Sequence, residues 1–255
     1  MAGTTAPAAP GASLAVLKSE TRLFLREPGS LFWIIAFPPL LLTVLGLVPA
    51  FREPSEDLGG LRVIDLYVPV AVLLSAIVAG VQVLPNTLTG YRERGILRRL
   101  STTPVRPGAL LAAQIALHGA AALISVVIAL AVGRLAFGVA LPEQPAGHLL
   151  TVVLTVSAGL ALGAAVSALS RTVKTAQTIG TVAFFPAMFT AGVWAPVQTM
   201  PDLLRRIVEL SPFGAASRAL DQAAAGDWPA WSHLGVPALW AVLLTGVAVR
   251  WFRWE

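Results

Sequence analysis

The chain has 255 residues, 56% of them hydrophobic and 12% charged, with a mean hydropathy of +0.77, a net charge of +5 and a pI near 10.7. A soluble domain carries roughly 25% charged residues, so there is too little polarity to cover a water-soluble globule, and disordered chains are polar and charge-rich. An integral membrane protein is left, and in such a chain the placement of the charges matters more than their sum.

Residues 1–12 carry no charge and hold prolines and glycines among small residues, which reads as a flexible tail. No basic start precedes an apolar run there, so it is not read as a secretory signal. Over 13–27, Leu14, Leu17, Phe24 and Leu25 share one side of a helix, with Lys18, Arg22 and Arg26 beside or opposite them. That pattern suits a helix lying in the membrane interface; a cytosolic stub helix is the alternative. Pro28-Gly29 breaks it.

A spanning helix needs about 20 apolar residues. Uncharged stretches of 21, 25, 27, 22, 27 and 17 residues occur at 31–51, 66–90, 107–133, 149–170, 175–201 and 233–249, which predicts six spans. Prolines inside them are tolerable where neighbouring helices satisfy the freed backbone groups. The alternating ten-residue strands of a membrane barrel are absent. In the fourth span Thr155, Gly159, Gly163 and Ser167 form a stripe of small residues, for close packing within the subunit or against another one. Over 202–232, Leu203, Leu204, Ile207, Val208 and Leu210 alternate with Asp202, Arg205, Arg206 and Glu209, then Ser211-Pro212-Phe213-Gly214 breaks the pattern before a second short helix over 215–225. A helical hairpin dipping into the outer leaflet fits, against a plain surface loop.

With the N-terminus inside, the inner segments hold 12 bases and 4 acids and the outer segments 6 bases and 9 acids, a balance of +8 against −3. The positive-inside rule then places both termini in the cytoplasm. The same bias accounts for the high pI without any nucleic-acid partner. Of the 18 bases only Lys18 and Lys174 are lysines, a composition that fits a GC-rich bacterial genome and hence a bacterial cell membrane.

There is no cysteine, and His118, His148 and His233 lie far apart with no H-E-x-x-H pair, so neither thiol chemistry nor a metal site is expected. The densest polar feature is Tyr91-Arg92-Glu93-Arg94-Gly95-Ile96-Leu97-Arg98-Arg99-Leu100-Ser101-Thr102-Thr103-Pro104, between the second and third spans. Its arginines alone would suit anionic lipid. The Ile96/Leu97/Leu100 patch and Glu93 suggest instead a short helix that docks on another protein.

The pattern Tyr-Arg-Glu-x-Gly-x-x-x-x-Leu-x-x-x-Pro after the second of six spans resembles permeases of the ABC-2 class of ATP-binding-cassette transporters, nearest to the drug-exporter branch with its daunorubicin-type exporters. The likeness covers nearly the whole chain: 22–28 matches the interfacial helix, and Gly192-Val193-Trp194-Ala195-Pro196, Met200-Pro201 and Ser211-Pro212-Phe213 match the outer re-entrant region. The resemblance implies an all-α membrane protein of six spans with an interfacial helix, a cytoplasmic coupling helix and an outer hairpin. It makes 91–103 the coupling helix, with Tyr91, Glu93, Gly95, Ile96, Leu97 and Leu100 as contacts to a cytoplasmic ATPase subunit. Arg94, Arg98 and Arg99 make this version unusually basic. Neither lysine follows the glycine that a phosphate-binding G-x-x-x-x-G-K-[ST] loop needs. ATP and Mg are therefore expected on a separate partner chain, and this chain is not expected to be an enzyme.

Polar residues inside spans are candidates for the substrate path. They are Gln114 and His118, on one face of the third span with Ser125; Gln82 and Asn86 in the second, beside Thr87; and Gln177 and Thr181 in the fifth, beside Thr178. Hydrogen bonding between helices is the competing use. The expected substrate is lipophilic or amphipathic, a drug, antibiotic or lipid, crossing between two permease copies or this chain and a paralogue. The rivals are a polytopic membrane enzyme and an ion-coupled secondary transporter. Both usually want carboxylates or a Ser–His pair within the membrane, and the expected spans hold no Asp or Glu.

Overall fold

The computed structural model describes residues 10–100 and 107–251. Expectations resting on residues 1–9, 101–106 and 252–255 lie outside the described residues. So do those resting on the side chains of Arg98 and Leu100, the latter a coupling candidate. Among the described residues every regular element is helical and no strand occurs. In chain order the helices are α1 (Pro10–Phe24), α2 (Pro28–Gly46), α3 (Val63–Glu93), α4 (Ile96–Leu100), α5 (Pro107–Phe137), α6 (Pro145–Leu169), α7 (Val173–Thr190), α8 (Asp202–Val208), α9 (Pro212–Ala224) and α10 (Trp231–Trp251).

Five of these, α2, α3, α5, α6 and α10, are long and apolar enough to cross a membrane. The remaining expected span, 175–201, yields α7, whose 18 residues include Lys174, Gln177 and several threonines that dilute its apolarity. It also stops well before residue 201. Gly192 takes φ +83, its N–H bonds Phe189 O, and the Val193 N–H bonds Met188 O. That is a Schellman stop, and glycine is the residue that adopts the left-handed cap without strain.

The core is the seam between α3 and α6. From Val70 to Val81 every residue of α3 is buried, as expected of a helix that is apolar all round. The small-residue stripe of α6 packs here, within the chain. A Cβ on Gly159 would lie 2.7 Å from Ala76 O, and one on Gly80 or Gly163 would overlap the backbone of the facing helix. Thr151, Thr155 and Ser167 satisfy their hydroxyls on carbonyls four residues back in α6, so they add polarity to the seam at no hydrogen-bonding cost. The opposite side of α6 carries α10 and α9.

Two helices widen locally into π turns: α2 at Phe32–Ala36 and α3 at Val78–Val83. Each widening precedes proline, Pro38-Pro39 in α2 and Pro85 in α3. Proline has no N–H for the usual bond. The chain adapts with i−5 bonds, Phe37 N–H to Phe32 O and Leu84 N–H to Ala79 O.

Segments expected on the same side of the membrane meet at the same end of the bundle. At one end the Arg62 guanidinium bonds Asp65 and Phe137 O, the Gln144 N–H bonds Ala223 O, and Tyr67 Oη donates to Val193 O. Here lie the two short helices expected over 202–232, α8 and α9, but Ser211 caps α9 by accepting from the Gly214 N–H, and Pro212 starts that helix. The Ser-Pro-Phe-Gly run therefore opens α9 at its first turn. Most of α9 is buried, whereas Leu203, Ile207 and Leu210 around α8 are exposed.

α1 begins at Pro10, inside the segment expected to be tail. Its inward side also differs from expectation. Phe24 and Glu20 are buried, while Leu14 and Leu25 are exposed. A carboxylate has displaced two leucines from the packed face, because polar partners await it there.

Candidate functional site

At the end opposite α8 and α9, α3 runs to Glu93. Gly95 then takes φ +65, with its N–H bonded to Arg92 O, and turns the chain into α4. A left-handed residue is needed at that corner, which gives the Gly95 motif position its physical cause. Tyr91 points inward, 6% exposed, and its hydroxyl donates to Glu20 Oε2 at 2.7 Å. Gln114 Nε2 donates to the same carboxylate oxygen at 2.6 Å. One buried carboxylate thus joins α1, α3 and α5. The Arg94 guanidinium lies 5.8 Å from the centre of the Tyr91 ring.

Two further ties radiate from this corner. Arg92 Nη1 donates to Ser167 O at 2.9 Å and to Ser170 O at 2.5 Å, closing the C-terminus of α6. Glu93 Oε1 accepts from the Val173 N–H at 2.8 Å, at the first turn of α7. A carboxylate there also suits the positive end of that helix dipole.

Leu97 is not on an outward docking face. It is 2% exposed and packs with Tyr91 and Leu110, with Ile96 and Val16 half-buried beside them. Leu97 turns inward because Tyr91 and Leu110 offer apolar surface that burial favours. Outward, the described part of the segment presents Glu93, Arg94 and Arg99, so its accessible chemistry is charged rather than apolar.

A cavity of about 640 Å³ lies between α2, α3 and α7. Both π segments line it, through Trp33 on α2 and through Val78, Gln82 and Val83 on α3. Phe37, Phe184 and Met188 complete the apolar wall. Asn86 and Thr87 add polar groups, and Glu27 and Arg94 stand on the same lining. Departures from the regular α-helix of this kind recur at functional sites. α7 approaches α3 closely here: a Cβ on Gly180 would lie 2.9 Å from Val81 O.

The structure therefore separates the polar residues that the sequence grouped. Gln82 and Asn86 line the cavity. Gln114 and His118 do not. Gln114 is spent on Glu20, and His118 is fully buried, its Nδ1 2.8 Å from Gln114 O and its ring edge-on to Phe24 at 5.2 Å. Ser125, on the same face, bonds Ser75 Oγ and Ile35 O. Gln177 and Thr181 are exposed on α7, away from the cavity. Sequence reading missed Glu20, Glu27, Trp33 and Phe184. Glu20 is an acid ahead of an apolar run, and pairing it with the phenol that ends the second span would have been the available signal.

At the other end, Asp221 on α9 accepts a hydrogen bond from Gln198 Nε2 and stands near Arg218, which itself bonds Glu209 at 3.2 Å. Burial pushes the Asp221 carboxyl up to about 7, against the opposing pull of Arg218 and Gln198. Among the described residues no group of three or more metal-ligating side chains occurs.

An all-helical chain with several membrane-length apolar helices, a polar corner at one end and a cavity beside it is a multi-pass membrane protein of transporter architecture. The family model described as "ABC-2 type transporter" matches residues 12–223, and the chain belongs to that family. Its members are the membrane components of ABC transporters, without a nucleotide-binding domain of their own, and work with an ABC ATPase in a lipid bilayer. No curated protein matches the chain.

Proposed function

We propose that the chain is the permease subunit of a bacterial ABC exporter in the drug-exporter branch. It moves a lipophilic or amphipathic substrate across the cell membrane, and the work comes from ATP and Mg bound by a separate ATPase subunit. Two permease copies, or this chain and a paralogue, complete the path. α7 is the sixth span, both termini are cytoplasmic, α1 lies in the interface and the α8–α9 hairpin re-enters the outer leaflet.

One observation carries the reading. The corner at 91–99 is tied to α7 through Glu93 and continues directly into α3, and α3 and α7 are two of the cavity's three walls. A partner that moves this corner moves the cavity. Charge complementarity through Glu93 and Arg99 is the means of docking, since Leu97 is committed inward.

The test is co-expression with the candidate ATPase, co-purification, and ATP hydrolysis measured against added amphiphiles. Met188→Trp, which fills the cavity, should abolish stimulation while the two subunits still co-purify. Glu93→Lys with Arg99→Glu should separate the subunits. Unchanged association would reduce the corner to a lipid-facing loop. For topology, Ser55→Cys and Asp227→Cys should react with an impermeant thiol reagent in intact cells, and Ser101→Cys should not; reaction of Ser101→Cys would reverse the orientation.

A further inference from the structure

The cavity has a chemical polarity that an amphipathic substrate in general does not require. Glu27, just before α2, and Arg94, just after α3, lie where two adjacent helices begin and end, and both contribute to the lining. Both are exposed. Among the described residues neither takes part in a salt bridge. Glu27 accepts only from Ser30 Oγ, at 3.1 Å, and Arg94 spends its Nε on Gly90 O, at 3.1 Å. Among the described residues no other acid or base lines the cavity. Its remaining wall is aromatic and aliphatic, with Trp33 and Phe184 prominent.

We infer that this cavity selects zwitterionic amphiphiles, holding a cationic headgroup atom at Glu27 and an anionic one at Arg94 while the apolar tail lies against Trp33 and Phe184. The inference rests on the proposal that the cavity takes the transported substrate, and it names the substrate's class. A purely cationic amphiphile would pair with Glu27 but be repelled by Arg94, and a purely anionic one would meet the reverse. Only a headgroup bearing both signs satisfies both side chains with charge-assisted hydrogen bonds, the stronger kind. A volume of about 640 Å³ lies within the ordinary range for small-molecule sites and suits a single-chain molecule.

The test uses the full chain in nanodiscs and three radiolabelled sixteen-carbon probes: lysophosphatidylethanolamine (zwitterionic), lysophosphatidylglycerol (anionic) and hexadecylamine (cationic). The zwitterion should bind about tenfold more tightly than either singly charged probe, the ratio expected when one charge-assisted contact is lost. Glu27→Gln should weaken the zwitterion and amine and leave the anion unchanged or tighter. Arg94→Gln should do the converse. Met188→Trp should abolish binding of all three. Equal affinities that Met188→Trp still abolishes would overturn the headgroup selection and leave the cavity as an unselective amphiphile site. A preference for one sign of charge, unaltered in both charge variants, would also overturn it. Binding of no probe, or binding that Met188→Trp does not alter, would overturn both this inference and the cavity's role in transport.

Discussion

The polar faces of α3 and α5 carry similar residues and meet opposite fates. Gln82 and Asn86 on α3 face a cavity, and the Asn86 amide turns to its own helix, bonding Gln82 O at 2.7 Å. Gln114 and His118 on α5 face packed neighbours and are 2% and 0% exposed. The difference comes from the partner helix rather than from the polar residues. α1 brings Glu20 and Phe24 against α5 and fills the space. α2 and α7 approach the other face through a π turn and a helix that ends early, and space is left. An amide in a membrane span therefore marks a path only where no neighbour answers it.

Breaking the α5 side should have the largest effect. Glu20→Leu leaves the Tyr91 hydroxyl and the Gln114 amide buried without their acceptor, at about 1–3 kcal/mol for each such group. Thermal unfolding in detergent should show a clear drop in midpoint, and the corner at 91–99 should become more accessible to protease. An unchanged midpoint would mean that water replaces the carboxylate.

The α3 side should answer in the reverse manner. Gln82→Leu with Asn86→Leu should leave the unfolding midpoint nearly unmoved, within about 0.5 kcal/mol. It should shift the half-maximal amphiphile concentration for ATPase stimulation severalfold. If instead stability falls and the concentration does not move, the two faces are alike after all.

A subtler difference is expected at the far end, where Asp221 is a buried carboxylate facing a cation. Its folded-state pKa of about 7 lies above the ordinary 3.8. The folded state therefore binds more protons than the unfolded state between these values. Stability should fall as pH rises from about 4 to about 7 and level off above. Asp221→Asn should flatten that slope in a pH series of melting curves. A slope identical to the parent's would assign it to other groups.

The smallest effect should come from His118→Phe. The His118 Nε2 atom is buried without a hydrogen-bond partner, and its Nδ1 bonds only a carbonyl of its own helix. Phenylalanine is somewhat larger but leaves no buried nitrogen unpaired, and the two effects offset, so stability should change by about 1 kcal/mol or less. A large loss would reveal a partner for that nitrogen.

Much of the architecture was legible because hydropathy needs only composition and length. The runs at 31–51, 66–90, 107–133, 149–170 and 233–249 all became membrane-length helices. The stop of α7 at Thr190 was not, since Gly192 sits inside an apolar run and only its φ reveals the cap. The corner at 91–99 was legible as a charged motif, but the inward turn of Leu97 depends on Leu110, thirteen residues later, and on α1. Glu20 was hidden for the same reason. A carboxylate on an amphipathic helix reads as solvent-facing until the phenol and amide that claim it, 71 and 94 residues away, are brought alongside.

The early stop of α7 also bears on the bilayer around it. Its 18 residues rise about 27 Å, whereas the 31 residues of α5 rise about 46 Å. A hydrocarbon layer of about 30 Å outruns the first and is outrun by the second. On the proposal that α7 is the sixth span, lipid beside it must thin or the helix must stay upright, while α5 must tilt or project beyond the headgroups. The proposed reading then makes the cavity wall that α7 provides sensitive to acyl-chain length, and membrane thickness a setting on transport.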